Sequence, residues 1–143
     1  MQNDMTIHSM EASGIERHAH WLLRLGLASV FIFMGIDKFM GSGVAAFSAM
    51  MNLPVALGAL VALGEIGTGL LVVLGGLMKG RLGDVVTRLG ALGMVPILLG
   101  AIFMVHWGQW HFMATSSHPL GGMMFQVTLA MVAIYLLAKG NSA

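Results

Sequence analysis

The sequence predicts an all-α fold, a four-helix transmembrane bundle. Three observations predict it. Hydrophobic residues make up 57% of the 143 residues and charged residues only 9%, against about 25% charged in a soluble domain, so lipid must solvate most of the surface. Four apolar stretches run over Trp21–Phe39, Val55–Met78, Leu89–Trp107 and Gly121–Ala138, each near the ~20 residues that carry an α-helix across a bilayer core. None shows the strict alternation of a barrel strand, and in hydrocarbon the remaining backbone that satisfies its own hydrogen bonds is the helix.

Residues 1–19 read as a polar N-terminal segment, and the bundle is expected over residues 20–140 as one domain. The segment contains Asp4, Glu11 and Glu16 rather than a short basic lead, and no A-x-A site follows, so the first apolar stretch is read as a retained helix. That helix carries Arg24 near one end and Asp37 and Lys38 at the other. The second follows Pro54, a residue tolerated at helix starts, and holds Glu65 about ten residues in, roughly 15 Å deep. Its glycines, with Gly76 and Gly80 at GxxxG spacing, predict close helix contacts within the bundle, with a dimer face as the lesser alternative. The third contains Pro96, which removes a backbone hydrogen bond and predicts a kink, and ends on His106. The fourth follows Pro119 and places Gln126 in its first turns.

Basic residues are uneven along the chain. Arg17, Arg24, Lys79, Arg81, Arg88 and Lys139 all fall on one side of a four-span topology, and only Lys38 falls on the other. The positive-inside rule then puts both termini, and residues 1–19, on the cytoplasmic side of the membrane.

With no cysteine, disulfides, thiolate metal sites and a cysteine nucleophile are excluded. No basic run is present, and no nucleic-acid partner is expected. The 14 methionines are better read as apolar filler than as copper ligands. The nearest thing to a ligand set, Met104, His106, His111 and Met113, has no repeat spacing, and no metal is expected. The histidines do not face one another at depth as a haem would require. The glycines follow no strand, so they are not a dinucleotide fingerprint.

The candidate residues are the polar ones set into apolar helices, because a charge in hydrocarbon costs several kcal/mol and marks function by default. A buried Arg24–Glu65 pair joining helices 1 and 2 is expected, either as a structural tie or as one that also contacts a ligand or proton path. A second group, Asp37, Lys38, His106 and Gln126, converges at the outer level. It reads either as a site, where a histidine near a carboxylate exchanges protons near neutral pH, or as interfacial dressing with the nearby tryptophans.

Helix 1, LLRLGLASVFIFMGIDKF, helix 2, LVALGEIGTGLLVVLG, and helix 4, GGMMFQVTLAMVAIYLLAKG, resemble the DoxX family of small four-helix membrane proteins. Arg24, Gly35, Lys38, Glu65, Gly69, Gly75 and His106 fall on the family pattern. Met124 stands where the family often has Glu, and its Gly-rich tail with a terminal Asp is missing. The resemblance implies membrane redox chemistry, since one member type is the membrane subunit of a thiosulfate:quinone oxidoreductase. The expectation is a quinone-associated subunit of a larger complex. Glu65 and His106 would exchange protons, and Arg24, Lys38, Asp37 and Gln126 would contact a quinone. The alternative is a non-catalytic assembly or scaffolding subunit; a transporter would need more polar lining than this chain offers. Expected partners are the lipid bilayer and other membrane subunits, with a second copy of the chain as an alternative.

The charge asymmetry makes a direct prediction. Reporter fusions at Met1 and Ala143 should read cytoplasmic and one near Ser116 periplasmic; a cytoplasmic signal at Ser116 would overturn the four-span topology.

Overall fold

The computed structural model describes residues 2–41, 43–113, 115–116 and 121–141, with side chains from His18 onward. His118 and Pro119 lie outside the described residues. The elements are α1 (Gln2–Met40), α2 (Val44–Met50), α3 (Val55–Leu77), α4 (Gly80–Gly100), a π-helical turn (Ala101–Val105) and α5 (Met123–Lys139). The four helices α1, α3, α4 and α5 form the expected bundle. His18–Met40, Val55–Leu77 and Gly80–Val105 are long and apolar enough to cross a membrane, and Met123–Lys139 is a shorter apolar helix. At 17 residues α5 stands at the lower end of the spanning range.

Residues 2–19 are helical and continuous with the first span. Two expectations about the elements are corrected. The third span begins at Gly80, nine positions before Leu89, because its first turns bury small residues, Gly83 and Thr87, against α3. The α3–α4 connection is therefore a tight turn at Met78 and Lys79, and Gly80 opens the next helix with φ 71°. Gly76 and Gly80 thus do not share a helix face. Helix α4 contains Pro96 within its span, and a π-helical turn follows it.

Small residues set the helix spacing. α3 is central and packs on both α1 and α4, while α5 packs mainly on α4. Gly69 lets α3 approach the Ala28 carbonyl and Ile32 of α1, and Gly90 of α4 sits against the backbone of Val72. A methyl group at either position would collide with its neighbour. No hydrophobic drive pulls helices together in lipid, so such close contact supplies the packing energy. The core is a column of Leu27, Phe31, Val72, Met94, Leu98, Ile102, Leu129, Ala130 and Ala133. Large apolar side chains such as Leu22, Leu60, Leu82 and Ile134 face outward, as a lipid-solvated surface requires.

One end of the bundle is tied by a polar network centred on Arg24, which is 0% exposed. Its Nη1 donates to the Val72 carbonyl at 3.0 Å and to Thr87 Oγ1 at 2.8 Å. Its Nη2 donates to the Gly140 carbonyl at 2.9 Å and to Asn141 Oδ1 at 2.8 Å. Asn141 Nδ2 in turn donates to the Gly75 carbonyl at 2.8 Å. The Asn141 backbone N–H donates to Asp84 Oδ1 at 2.8 Å, and Asp84 Oδ2 receives Arg88 Nε at 2.9 Å. Arg88 Nη1 also donates to the Leu137 carbonyl at 2.7 Å. The orphan carbonyls at the end of α5 thus find donors from Arg24 and Arg88. Gly140 makes this possible: its φ of 59° and ψ of −129° suit a residue without Cβ, and a Cβ there would strike Asp84 and Arg88.

The network predicts that Asn141→Ala, which removes a charge-assisted acceptor of Arg24 and the donor to Gly75, lowers stability by about 2–3 kcal/mol. Unfolding in mixed detergent should read this loss, with Lys139→Ala as the exposed control. Equal stability of Asn141→Ala and the parent protein would rule out the tie.

Candidate functional site

The expected Arg24–Glu65 pair does not form. Glu65 pairs with Lys38: Lys38 Nζ lies 2.7 Å from Glu65 Oε2 and 2.9 Å from Oε1. Side-chain direction decides this. Every Cα–Cβ bond on a helix tilts toward the N-terminus, so Arg24 points away from the bundle middle while Lys38 points back into it. Lys38 Nζ lies 3.4 Å from the Met34 carbonyl one turn earlier, in reach of a third bond. Arg24 meets α3 at Val72, seven residues beyond Glu65, roughly 10 Å along the helix. Both Nη atoms of Arg24 are engaged by protein oxygens.

The ion pair is sealed. Lys38 is 9% exposed and Glu65 5%. The Phe47 ring on α2 covers Lys38 Nζ with its centroid at 4.8 Å, a cation–π contact. The hydroxyl of Ser48, itself buried, faces Gly58 on α3, where a side chain would displace it. Helix α2 therefore caps the pair. Sequence reasoning missed α2 and Phe47; seven residues between two apolar spans give no periodic signal long enough to read.

His106 is buried, and the π-helical turn puts it there. Met94, Leu98, Ile102 and His106 all point inward at steps of four, although four residues overshoot one α-helical turn by about 40°. The wider turn, closed by the His106 N–H to the Ala101 carbonyl at 3.0 Å, takes up that drift. The His106 carbonyl then receives the Gln109 N–H at 2.9 Å, and the Gln109 carbonyl receives the Met123 N–H at 2.9 Å. Gln126 enters the core one turn further along α5, on the same face as Leu129, Ala130 and Ala133, and is 1% exposed.

Asp37 does not join this group. Adjacent helical positions lie about 100° apart, so burying Lys38 turns Asp37 outward, where it is exposed. Trp107 and Trp110 are also exposed, at the level where an aromatic belt forms. His111 bonds locally, with Nδ1 3.0 Å from the Met113 carbonyl oxygen. Among the described residues no group of three or more His, Asp or Glu is placed to hold a metal ion.

The arrangement is thus a helical membrane bundle with a buried, capped ion pair and two further buried polar side chains at one end. The DoxX family model matches residues 19–107, more than half of the chain, and the protein belongs to the DoxX family. The match includes Arg24, Lys38, Glu65 and His106 and stops short of α5. No curated protein and no solved structure matches the chain.

The pairing makes a quantitative prediction. Lys38→Met or Glu65→Leu alone should each cost about 3–5 kcal/mol, because either leaves an uncompensated buried charge, and the double variant should recover most of that loss. Arg24→Met with Glu65→Leu should instead be additive. Additive costs for Lys38 and Glu65 would show that the pair is not coupled.

Proposed function

We propose that this DoxX protein is an integral subunit of a quinone-linked redox complex in a bacterial inner membrane, with both termini cytoplasmic. The observation that carries the reading is the Lys38–Glu65 pair buried in a lipid-solvated bundle. As a stabilising device it is a poor one, because desolvation offsets much of the attraction. Its value lies in holding an ionisable carboxylate where hydrocarbon would otherwise exclude one. Lys38 pairs with both carboxylate oxygens of Glu65 and orients them, and the Phe47 ring covers the ammonium.

A bound quinone would supply two-electron, two-proton redox chemistry, with electrons drawn from a partner subunit. The residues of this chain would hold it and pass protons. Glu65 would exchange a proton at a carboxylate oxygen with Lys38 as counter-ion. His106 would direct a ring nitrogen at the ligand from its buried position. The apolar core of the bundle, with Phe31, Leu98 and Ile102, would supply the walls for such a group.

A scaffolding role is the second reading. It is favoured by the Arg24 network, in which both Nη atoms of a buried charge tie helices together. Solvent extraction of protein purified from native membranes separates the two. The redox reading expects quinone enriched over the bulk membrane lipid and depleted in His106→Phe, which keeps the ring volume and removes both nitrogens. Quinone at bulk level in both proteins would leave scaffolding as the function.

A further inference from the structure

The side-chain amide of Gln126 is left unused by the protein. Its Nε2 is fully buried and has no hydrogen-bond partner, while the residue sits at 1% exposure on the core face of α5. An amide donor left unbonded in an apolar interior carries its full desolvation penalty, so buried polar groups normally have partners. In a lipid-solvated bundle bulk water does not supply one. Nothing about helix packing asks for a polar residue here, since the positions along the same face are Leu129, Ala130, Ala133 and Leu136.

We infer that Gln126 Nε2 is the hydrogen-bond donor to a neutral carbonyl oxygen of a lipid-soluble ligand seated in the bundle at the His106 end. The donor fixes one half of the chemistry: its partner is an acceptor. The surrounding charges fix the other half. Lys38 is neutralised by Glu65, and the Arg24 Nη atoms are held by protein oxygens on the far side of Val72. Among the described residues the buried cation at the His106 end is Lys38, and it is already paired, so the acceptor is neutral. The core of the bundle, which includes Phe31, Leu98, Ile102 and Leu129 with Met123 and Phe125 packed against it, is apolar and suits a planar or acyl group rather than a sugar. Two sources meet this description, the ring carbonyl of a quinone and the ester carbonyl of a membrane lipid. The quinone source rests on the function proposed above, and the ester source does not.

The test uses the full chain in nanodiscs of ester-linked or ether-linked phosphatidylcholine, each with and without decylubiquinone. Thermal unfolding is followed for the parent protein and for Gln126→Leu, which keeps the volume and removes the amide. In ether lipid without decylubiquinone, Gln126→Leu should be at least as stable as the parent, because an unbonded amide has been removed. Decylubiquinone should raise the melting temperature of the parent, with the shift abolished or at least halved in Gln126→Leu. That result supports a quinone carbonyl. A parent that is more stable in ester than in ether lipid, with Gln126→Leu indifferent, supports a lipid ester; without a decylubiquinone shift, it also removes the quinone reading and keeps the contact. If neither additive nor linkage distinguishes the two proteins, or if Gln126→Leu is the less stable in ether lipid, the amide has an internal role and the inference fails.

Discussion

A bilayer core offers no water to solvate a charge, and this bundle meets that constraint twice along one helix. Arg24 and Lys38 both lie on the buried face of α1, and each is answered differently. Arg24 is surrounded by neutral oxygens from three other helical segments. Lys38 is matched by one carboxylate. A guanidinium has five donors in a rigid fork and suits distributed acceptors, whereas an ammonium is a compact point charge that one carboxylate neutralises. The side-chain chemistry thus fits the division of labour, with helix tying at the Arg24 end and an ionisable pair at the other.

The rest of the fold is positioned by these two anchors. Arg24 draws α5 toward α1 and α3 through Gly140 and Asn141. Lys38 holds α1 to α3 and draws α2 over itself through Phe47. Glycines allow the backbone approach these bonds need, and the apolar column between them fills the intervening space. The π-helical turn then brings His106 into the same interior as Gln126.

Much of this was legible in the sequence because hydropathy and helix length are coarse signals that survive without tertiary context. The four spans and the depth of Glu65 belong to that class, whereas the burial of Lys38, at a helix end where a long side chain can snorkel, does not. The partner of Glu65 did not, since chain spacing gives depth but not the direction in which a side chain leans. Asn141 was invisible for another reason: a lone amide after a Lys-Gly helix end reads as tail, and only the unusual backbone of Gly140 turns it inward. The early start of α4 was hidden by its polar residues, which hydropathy scores as a loop although Asp84 and Arg88 pair along one helix turn. A π-helical turn has no sequence signature in this stretch; it shows only when the buried positions are seen to recur at steps of four.

The partners of Arg24 have a consequence for biosynthesis. A chain made from its N-terminus inserts Arg24 first, with its acceptors on α3 and α4 still to come. Asn141 lies 117 positions later. Until that residue is made, the guanidinium rests in the membrane with its coordination unfinished. Insertion and assembly are therefore separate events for this protein: the early helices reach the bilayer while one of their charges is still waiting for the chain to arrive.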